Sequence, residues 1–402
     1  MTTFPCGILL GLSFMLFTFT LDAQWSECTN GLSGTARYGQ YTASVVGNAI
    51  YACPFGQGVF MSVDNGLSWT AKNTGLTNLN VRRVAASGTM LFACTYSKIF
   101  RSSDGGDSWE SKSTGITSDT LYGLGVCGNA IYTSCKYGNV YVSTDDGESW
   151  TVKNAGRPSA NVFHFGAFGS TMFAGCSLGL FATSDGGDSW TEKNSGLTTF
   201  DVRSIATNGT VMFVGTQAGG AFLSTDGGDS WERKSNGLLN TWVYSLVMNG
   251  ADVFAGTLQG GIYNSRDSGE NWIEVKGDLV VNATYTMVIS GGYIFACTDN
   301  GLFKASLSEV TEVEAATQAM EFGIFPNPVR DRIHARVSNP GIRTSVVIYN
   351  TLGMPVYSQE HESGSGDAAS MEISLPGITP GLYFATFRSG SDVRTRRFVV
   401  QR

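Results

Sequence analysis

Residues 224–231, STDGGDSW, decide the fold of this chain. The composition of this stretch fits a metal-binding loop, a cluster of catalytic carboxylates or a structural turn. The same pattern, called here the repeated motif, occurs in six copies that end at Trp69, Trp109, Trp150, Trp190, Trp231 and Trp272. A period of 40 or 41 residues indicates repeated units that bury their faces by stacking on one another.

One repeat shows the structure of every unit. DVRSIAT from Asp201 predicts a strand, Asn208-Gly209 a hairpin turn, and TVMFVGT a second strand. AFLST predicts a third strand, and SWERKS, after the repeated motif, a fourth. Units of four strands and this length are typical of propeller blades. The sequence therefore predicts an all-β fold with the repeated motif on the hairpin between strands three and four.

Physical chemistry accounts for the motif without a substrate. The Asp226 carboxylate can accept backbone N–H groups of its own turn, and Gly228 supplies a positive φ. Ser230 can tie the exit of the hairpin, and Trp231 can bury its ring between sheets. We predict structural roles for Asp64, Asp104, Asp145, Asp185, Asp226, Asp267 and for Trp69, Trp109, Trp150, Trp190, Trp231, Trp272.

The motif resembles the Asp-box, or bacterial neuraminidase repeat, S-x-D-x-G-x-[ST]-W. That resemblance implies turns on the rim of a propeller, far from any active centre. Only one carboxylate per motif recurs strictly, since Leu67 replaces the second acid in the first copy. One carboxylate offers too few oxygen ligands for calcium. We predict no metal site and no cofactor.

The two ends of the repeat region predict how the ring closes. TYTMVIS, YIFACT and LFKAS, after Trp272, supply three strands without a fourth, whereas WSECTNGL from Trp25 matches a fourth strand with none before it. Pairing the two ends removes exposed sheet edges. The sequence predicts a seven-bladed β-propeller.

Composition and charge limit the kinds of partner that the protein can have. Thirty-three acidic and twenty-six basic residues give a net charge of −7 without any Lys or Arg run, so we predict no nucleic-acid partner. The apolar stretch within residues 1–23 predicts a signal peptide. No later stretch is apolar enough to cross a bilayer, so we predict no membrane span in the mature chain. Beyond the signal we expect a propeller over 24–308, a linker over 309–321 and a second domain over 322–402.

The second domain alternates apolar and polar residues between turn signals, which predicts a small Ig-like β-sandwich. PNP at 326–328, VVIYNTLGMPV from Val346, LPGITPGLYFATF from Leu375 and the basic end RTRRFVV resemble the type A sorting domain of the type IX secretion system. The resemblance implies a Bacteroidetes-type bacterium, passage through the periplasm, and delivery to the outer cell surface or the medium with removal of the tail. The type IX secretion machinery is then a partner.

Seven cysteines follow the signal: Cys28, Cys53, Cys94, Cys127, Cys135, Cys176 and Cys297. Most occupy positions where other repeats have small residues, so we expect mostly free, buried thiols. Disulfides between adjacent blades remain an alternative in an oxidising compartment.

Catalytic residues are hard to find in this sequence. His164 is the only histidine before the tail, and its strand VFHFG offers no pattern that would activate a nucleophile. The Phe-Arg-Ile-Pro stretch of Asp-box sialidases is missing. Asp-box xyloglucanases use two aspartates across a cleft, and Asp119 and Asp201 are the candidates here, although both fit turn caps equally well.

A different set of side chains points to binding. Alignment of the seven first strands places an aromatic residue or arginine at one equivalent position, on the face opposite the repeated motifs: Tyr41, Arg82, Tyr122, Phe163, Arg203, Tyr244 and Tyr285. Such side chains suit sugar stacking, carboxylate capture or a protein contact, and they also suit packing between blades. Arg83 and Trp242 are neighbours that could contribute.

The sequence thus predicts an exported, non-enzymatic propeller that binds a protein or glycan ligand on this face. A glycoside hydrolase, sialidase- or xyloglucanase-like, is one alternative, although the loops hold a fixed length and lack the insertions that build a substrate cleft. A structural or adhesion component of the cell surface is the other.

Overall fold

The structure, a computed structural model, describes residues 24–32, 42–118, 120–258, 261–277, 279–311, 322–325, 332–337, 343–362, 369–375, 378–389 and 392–401. Contacts between Cα atoms divide the chain into two units, Met1–Thr311 and Glu312–Arg402. The predicted signal segment lies outside the described residues. In their described residues both units consist mainly of antiparallel strands, as expected for an all-β protein.

The described part of the first unit contains seven antiparallel sheets of four strands each. Strand β1 (Ser26–Glu27) comes first in the chain. The next three sheets are formed by β2 (Thr42–Val46), β3 (Ala49–Cys53), β4 (Phe60–Ser62), β5 (Thr70–Ala71); β6 (Val81–Ser87), β7 (Met90–Thr95), β8 (Ile99–Ser102), β9 (Glu110–Ser111); and β10 (Leu121–Cys127), β11 (Ala130–Cys135), β12 (Val140–Ser143), β13 (Thr151–Val152).

Three further sheets repeat this order, and three strands remain at the end of the unit. The sheets are β14 (Val162–Phe168), β15 (Thr171–Cys176), β16 (Gly179–Thr183), β17 (Thr191–Glu192); β18 (Val202–Thr207), β19 (Met212–Thr216), β20 (Gly220–Ser224), β21 (Glu232–Arg233); and β22 (Val243–Asn249), β23 (Asp252–Thr257), β24 (Gly261–Ser265), β25 (Ile273–Glu274). The remaining strands are β26 (Thr284–Ser290), β27 (Tyr293–Thr298) and β28 (Gly301–Ser306).

Strand β1 completes the last sheet. It pairs antiparallel with β28, with Ser26 opposite Lys304 and Glu27 opposite Phe303. The N-terminal strand is therefore the fourth strand of the sheet whose first three strands come last in the first unit, as the sequence predicted. Two short helical segments, a 3-10 turn over Lys136–Gly138 and an α-helical turn over 307–311, lie between or after the strands.

The first strands of the sheets form the inner wall. Each packs on the first strand of the next sheet, from β2 against β6 round to β22 against β26, and β26 packs on β2. Apolar clusters fill the spaces between neighbouring sheets. One cluster joins Phe295 and Leu302 of the last sheet to Ile50 and Trp69 of the first. Each sheet therefore buries its faces on its neighbours, and the ring has no open side.

The repeated motif forms a closed network of hydrogen bonds on its hairpin. Ser224 Oγ and the Ser230 amide donate to Asp226 Oδ1 at 2.7 and 3.0 Å, and Ser230 Oγ donates to Asp226 Oδ2 at 2.5 Å. These bonds, led by the one from the Ser230 hydroxyl, hold the pKa of Asp226 well below its usual range. Gly228 adopts a φ of +88°, and a Cβ there would meet Phe173 at 2.8 Å. A residue with a Cβ is therefore disfavoured at this position both by the positive φ and by the contact with Phe173.

Each motif tryptophan ties its sheet to the one before it. Trp231 is buried, and its Nε1 donates to the carbonyl oxygen of Lys193 at 3.0 Å. Trp69, Trp109, Trp150, Trp190 and Trp272 donate in the same way to Cys28, Lys72, Lys112, Lys153 and Lys234. The indole thus supplies buried apolar area and a satisfied polar contact at the same place.

The second unit contains two sheets in its described residues. A three-stranded sheet has β29 (Phe322–Phe325), β30 (Arg332–Val337) and β33 (Ala369–Ser374), and a four-stranded sheet has β31 (Arg343–Tyr349), β32 (Pro355–Glu362), β34 (Gly381–Ser389) and β35 (Asp392–Val400). Ile373 and Leu375 share a buried core with Val346, Ile348 and Phe398. The two sheets therefore pack on each other.

Candidate functional site

A cavity of about 530 Å³ lies within the inner wall of the first unit. All seven first strands contribute residues to its lining. The lining includes six of the seven residues that the strand alignment singled out: Arg82, Tyr122, Phe163, Arg203, Tyr244 and Tyr285. We call these six the inner ring. Tyr41, the seventh, lies outside the described residues.

A β-bulge places each member of the inner ring. Every member is the second residue of its first strand, and the pairing with the second strand skips it in all six sheets, as between Val81 and Arg83 around Arg82. The residue before it is buried between sheets; Val202, before Arg203, is 0% exposed. A bulge bends the strand and redirects the side chain of the extra residue. Here it turns the inner-ring side chains towards the cavity.

Arg82 lies between two aromatic rings. Its Cζ atom is 3.9 Å from the ring centroid of Tyr96 and 4.8 Å from that of Tyr122. These distances are typical of cation–π stacking, which holds the planar guanidinium in one orientation. Arg82 Nε is buried and has no hydrogen-bond partner among the described residues. The side chain is therefore fixed in place by packing while its hydrogen bonds are not all satisfied.

Arg203 is stacked in the same way but carries a counter-ion. Its Cζ atom lies 3.9 Å from the Phe163 centroid and 5.4 Å from that of Tyr244. Its Nε and Nη2 lie 2.6 and 2.8 Å from Oδ1 and Oδ2 of Asp201. Nη2 also donates to Gln217 Oε1 at 2.6 Å. Both oxygens of Asp201 are thus in contact with one guanidinium.

This pairing bears on the catalytic candidates. Asp201 is not among the residues that line the cavity; it lies behind Arg203 and positions it. Asp119, the other candidate, falls outside the described residues. In the described part of the chain, the structure therefore does not bring a pair of carboxylates together in the cavity.

Arg83 and His164 lie next to the inner ring in the cavity wall. Both are half-buried. Burial lowers the pKa of Arg83, and burial together with the charge of Arg83 holds the pKa of His164 well below its usual range, so His164 is neutral at pH 7. His164 Nδ1 is buried without a hydrogen-bond partner. Among the described residues no carboxylate pairs with Arg82 or Arg83.

The cavity wall is positively charged in a chain whose net charge is −7. Arg82, Arg83 and Arg203 line it, and no aspartate or glutamate does so in the described part of the chain. Aromatic faces and guanidinium groups together suit a ligand with flat or apolar surfaces and negative charge. Trp242 is 37% exposed and lies outside the cavity, in the loop that leads into β22.

The repeated motifs lie away from this cavity. In a four-stranded meander, the turns between strands one and two and between three and four share one edge, and the other connections share the opposite edge. The motif carboxylates are therefore on the face opposite the loops beside the inner ring. No cluster of three or more metal-binding side chains occurs among the described residues, and all seven described cysteines are free thiols.

Sequence alignment found the inner ring but missed two of its supports. Tyr96, which stacks on Arg82, lies in the turn between β7 and β8 and has no equivalent in the strand alignment. The strand of His164 shows no catalytic pattern in the sequence, and the structure places His164 in the cavity wall beside Arg83. Its position next to Phe163 is the signal that could have identified it.

Two segments of the chain match family models. Residues 323–401 match the secretion system C-terminal sorting domain, and residues 22–165 match the DUF6242 beta propeller domain. The chain thus carries a type IX sorting domain behind a β-propeller, and it is secreted or held at the cell surface. Within the described residues, no helix is both long and apolar enough to cross a bilayer. A search of curated proteins found no match.

Solved structures share the propeller fold at low sequence identity. YCF48 bound to D1 peptide is 16% identical with a TM-score of 0.56, over 71% of this chain and 96% of that one. A GH74 enzyme from Niastella koreensis is 18% identical with a TM-score of 0.52, over 67% of this chain. A GH74 xyloglucanase from Xanthomonas campestris is 14% identical with a TM-score of 0.57, over 80% of this chain and 60% of that one.

The chain spans 43% of the length of the Niastella enzyme. At these identities the likeness establishes the fold alone, because one fold serves many unrelated functions.

Proposed function

We propose that this chain is a secreted or cell-surface propeller that binds a protein or glycan ligand at the inner ring and does not transform it. The observation that carries the proposal is the convergence of six bulged strands on one cavity, which presents Arg82, Tyr122, Phe163, Arg203, Tyr244 and Tyr285 together. Packing between sheets does not require six bulges, and bulges are over-represented beside functional sites.

The state of Asp201 favours binding over hydrolysis. A glycosidase acid must approach the scissile oxygen, and its partner carboxylate must stand within about 5 to 10 Å of it. Asp201 is engaged by Arg203 through both oxygens, and the described cavity wall has no second carboxylate. The GH74 neighbours are enzymes, and one solved structure shows YCF48 bound to D1 peptide, so the fold alone is compatible with both activities.

The proposal is tested by exposing the full chain to a glycan panel and a peptide panel while mass spectrometry follows retention and cleavage. Tyr244→Ala removes an aromatic face of the inner ring, whereas Val63→Ser changes an exposed apolar residue on the opposite face and serves as the matched control. We expect retention by the wild type and the control, loss of at least tenfold in Tyr244→Ala, and no new products.

If the wild type forms cleavage products and Asp201→Ala does not, the protein is a hydrolase and the proposal is wrong. Retention that survives Tyr244→Ala unchanged would move the binding site away from the inner ring.

A further inference from the structure

The cavity wall holds positive charge that the protein itself does not neutralise. Arg203 is neutralised by Asp201 at 2.6 Å. Arg82 and Arg83 have no carboxylate partner among the described residues, and both are half-buried. A guanidinium in such a place loses hydration without gaining an ion pair, which is costly for the folded state.

Several polar atoms in the same wall are buried and lack a partner in the described part of the chain. They are Arg82 Nε, His164 Nδ1, Ser204 Oγ and Arg203 Nε, of which Arg203 Nε lies 2.6 Å from a carboxylate oxygen of Asp201 without hydrogen-bond geometry. Buried polar groups are nearly always hydrogen-bonded in folded proteins. Several unpaired groups around one cavity therefore indicate that a ligand supplies their hydrogen bonds. Two guanidinium groups, a neutral imidazole and a hydroxyl can all donate a hydrogen bond to an anion.

We infer that an acidic polypeptide segment inserts a carboxylate into the cavity, where Arg82 and Arg83 hold it. The inference rests on the proposed function and adds the chemistry of the ligand to it. A carboxylate fits because a guanidinium can donate two parallel hydrogen bonds to its two oxygens. Stacking on Tyr96 and Tyr122 already fixes Arg82, so little side-chain entropy is lost when the carboxylate binds.

The surface around the cavity favours a polypeptide over a sugar acid. Six large apolar side chains are between 50% and 84% exposed on the connections of this face: Phe55, Tyr137, Leu178, Phe200, Leu239 and Val280. They belong to turns between second and third strands or to links between sheets. Leu178, Leu239 and Val280 are aliphatic, and such side chains gain from burying the apolar residues of a protein but gain little from a polar carbohydrate. A charged centre with an apolar surround matches an acidic segment that also carries apolar residues.

The experiment uses the full chain and a fluorescent peptide that alternates Asp or Glu with Leu or Phe, with anisotropy as the readout. A second peptide has Asn and Gln in place of the acids, and a labelled uronic-acid oligosaccharide forms the third arm. The variants are Arg82→Gln, Arg82→Lys and Arg83→Gln. Lys98→Gln is the matched control, because Lys98 is an exposed cation in a turn of the same face and does not line the cavity.

We expect the acidic peptide to bind, and the amide peptide to bind at least about tenfold more weakly. Arg82→Gln and Arg83→Gln should each weaken binding at least about tenfold, while Lys98→Gln changes it less than about twofold. Arg83→Gln should leave the melting temperature unchanged or raise it, because it removes a charge that lacks a partner. A purely structural role for Arg83 would lower it. Arg82→Lys keeps the charge and should still weaken binding, because an ammonium group cannot donate two parallel hydrogen bonds to a carboxylate.

Equal binding of the acidic and amide peptides, or of the wild type and Arg83→Gln, would overturn the inference. Binding of the uronic-acid oligosaccharide through the same arginines without peptide binding would also overturn it, while the proposed function would stand. If neither these probes nor the glycan and peptide panels bind at the inner ring, the proposed function itself fails.

Discussion

The indole Nε1 of Trp25 donates a hydrogen bond of 2.8 Å to the carbonyl oxygen of Val275, 250 residues later in the chain. Val275 is the third residue after Trp272, just as Cys28, the acceptor of Trp69, is the third residue after Trp25. Trp25 therefore takes the place of a seventh motif tryptophan, although no copy of the motif precedes it. The cycle of indole hydrogen bonds is complete around the ring.

Trp25→Ala should destabilise the first unit by about 2–3 kcal/mol, less than a fully buried tryptophan because Trp25 is only half-buried. Trp25→Phe keeps most of the apolar contact and should cost about 1 kcal/mol for the lost hydrogen bond. Denaturant unfolding of the full chain measures both. Unchanged midpoints for both variants would show that the ring does not depend on this contact.

Asp145 should stabilise the protein above about pH 4 and lose this contribution as the pH falls towards 2. Hydrogen bonds led by that of Ser149 lower the pKa of Asp145 to about 2. A carboxylate whose folded pKa lies below its unfolded value near 3.9 contributes stability above that value and loses it on the way down to the folded pKa. Melting temperatures measured between pH 2 and 5 should show a shallower slope for Asp145→Asn. Identical slopes would contradict the role of the carboxylate.

The buried thiols should resist alkylation in the folded protein. Burial raises the pKa of Cys53 to about 12 and that of Cys94 to about 11, and the thiolate is the reactive form. Cys127 is half-buried and should react first with iodoacetamide at pH 8. Mass spectrometry of peptides after timed labelling gives the order. Labelling of Cys53 as fast as Cys127, or recovery of either thiol as a disulfide, would count against the free buried thiols.

Lysines that directly follow the fourth strands reach acids in the motif of the next sheet. Lys112 Nζ lies 2.9 Å from a carboxylate oxygen of Glu148, and Lys72, Lys153, Lys193 and Lys234 pair with Asp107, Asp188, Asp229 and Glu270. The Glu148 side chain is 53% exposed, so solvent screens the pair and the pair should contribute little to the free energy of unfolding. Lys112→Met should therefore change stability far less than Trp150→Ala, for which we expect about 3–5 kcal/mol.

Export should remove both ends of the chain. We expect mass spectrometry of material from the medium or cell surface to show an N-terminus near Gln24 and loss of the tail after about Ser308. A chain truncated before residue 323 should remain inside the cell envelope, because it lacks the sorting domain. Surface material that still ends at Arg402 would contradict processing of the tail.

The fold could be predicted from sequence because the same physical requirements recur in each repeat. Asp226 accepts a backbone hydrogen bond of its own turn, Gly228 adopts a positive φ, and Trp231 buries apolar area. The match of WSECTNGL to a fourth strand located β1 on the last sheet. Tertiary contacts that do not repeat, such as that between Tyr96 and Arg82, left no pattern to detect.

The positions of the inner-ring residues could be predicted from the sequence, but their ion pairing and the β-bulges could not. Alignment placed Arg82 and Arg203 at equivalent sites, and both stack on aromatic rings in the structure. Only one of them carries a counter-ion, because Asp201 stands two residues before Arg203 whereas Asn80 occupies that place before Arg82. The bulges depend on pairing between strands, which side-chain alternation within one strand does not reveal.

The pairing of β1 with β28 also sets an order of events during synthesis. A chain emerges from its N-terminus, and domains begin to fold before the last residues are made. Ser26 and Glu27 pair with Lys304 and Phe303, so β1 cannot complete its sheet until β28 has been made. Contacts this distant in sequence slow the final step. A second molecule that offers its own first strand to β28 before the ring closes would give a swapped dimer, so the site of ring closure is also the site where self-association would begin.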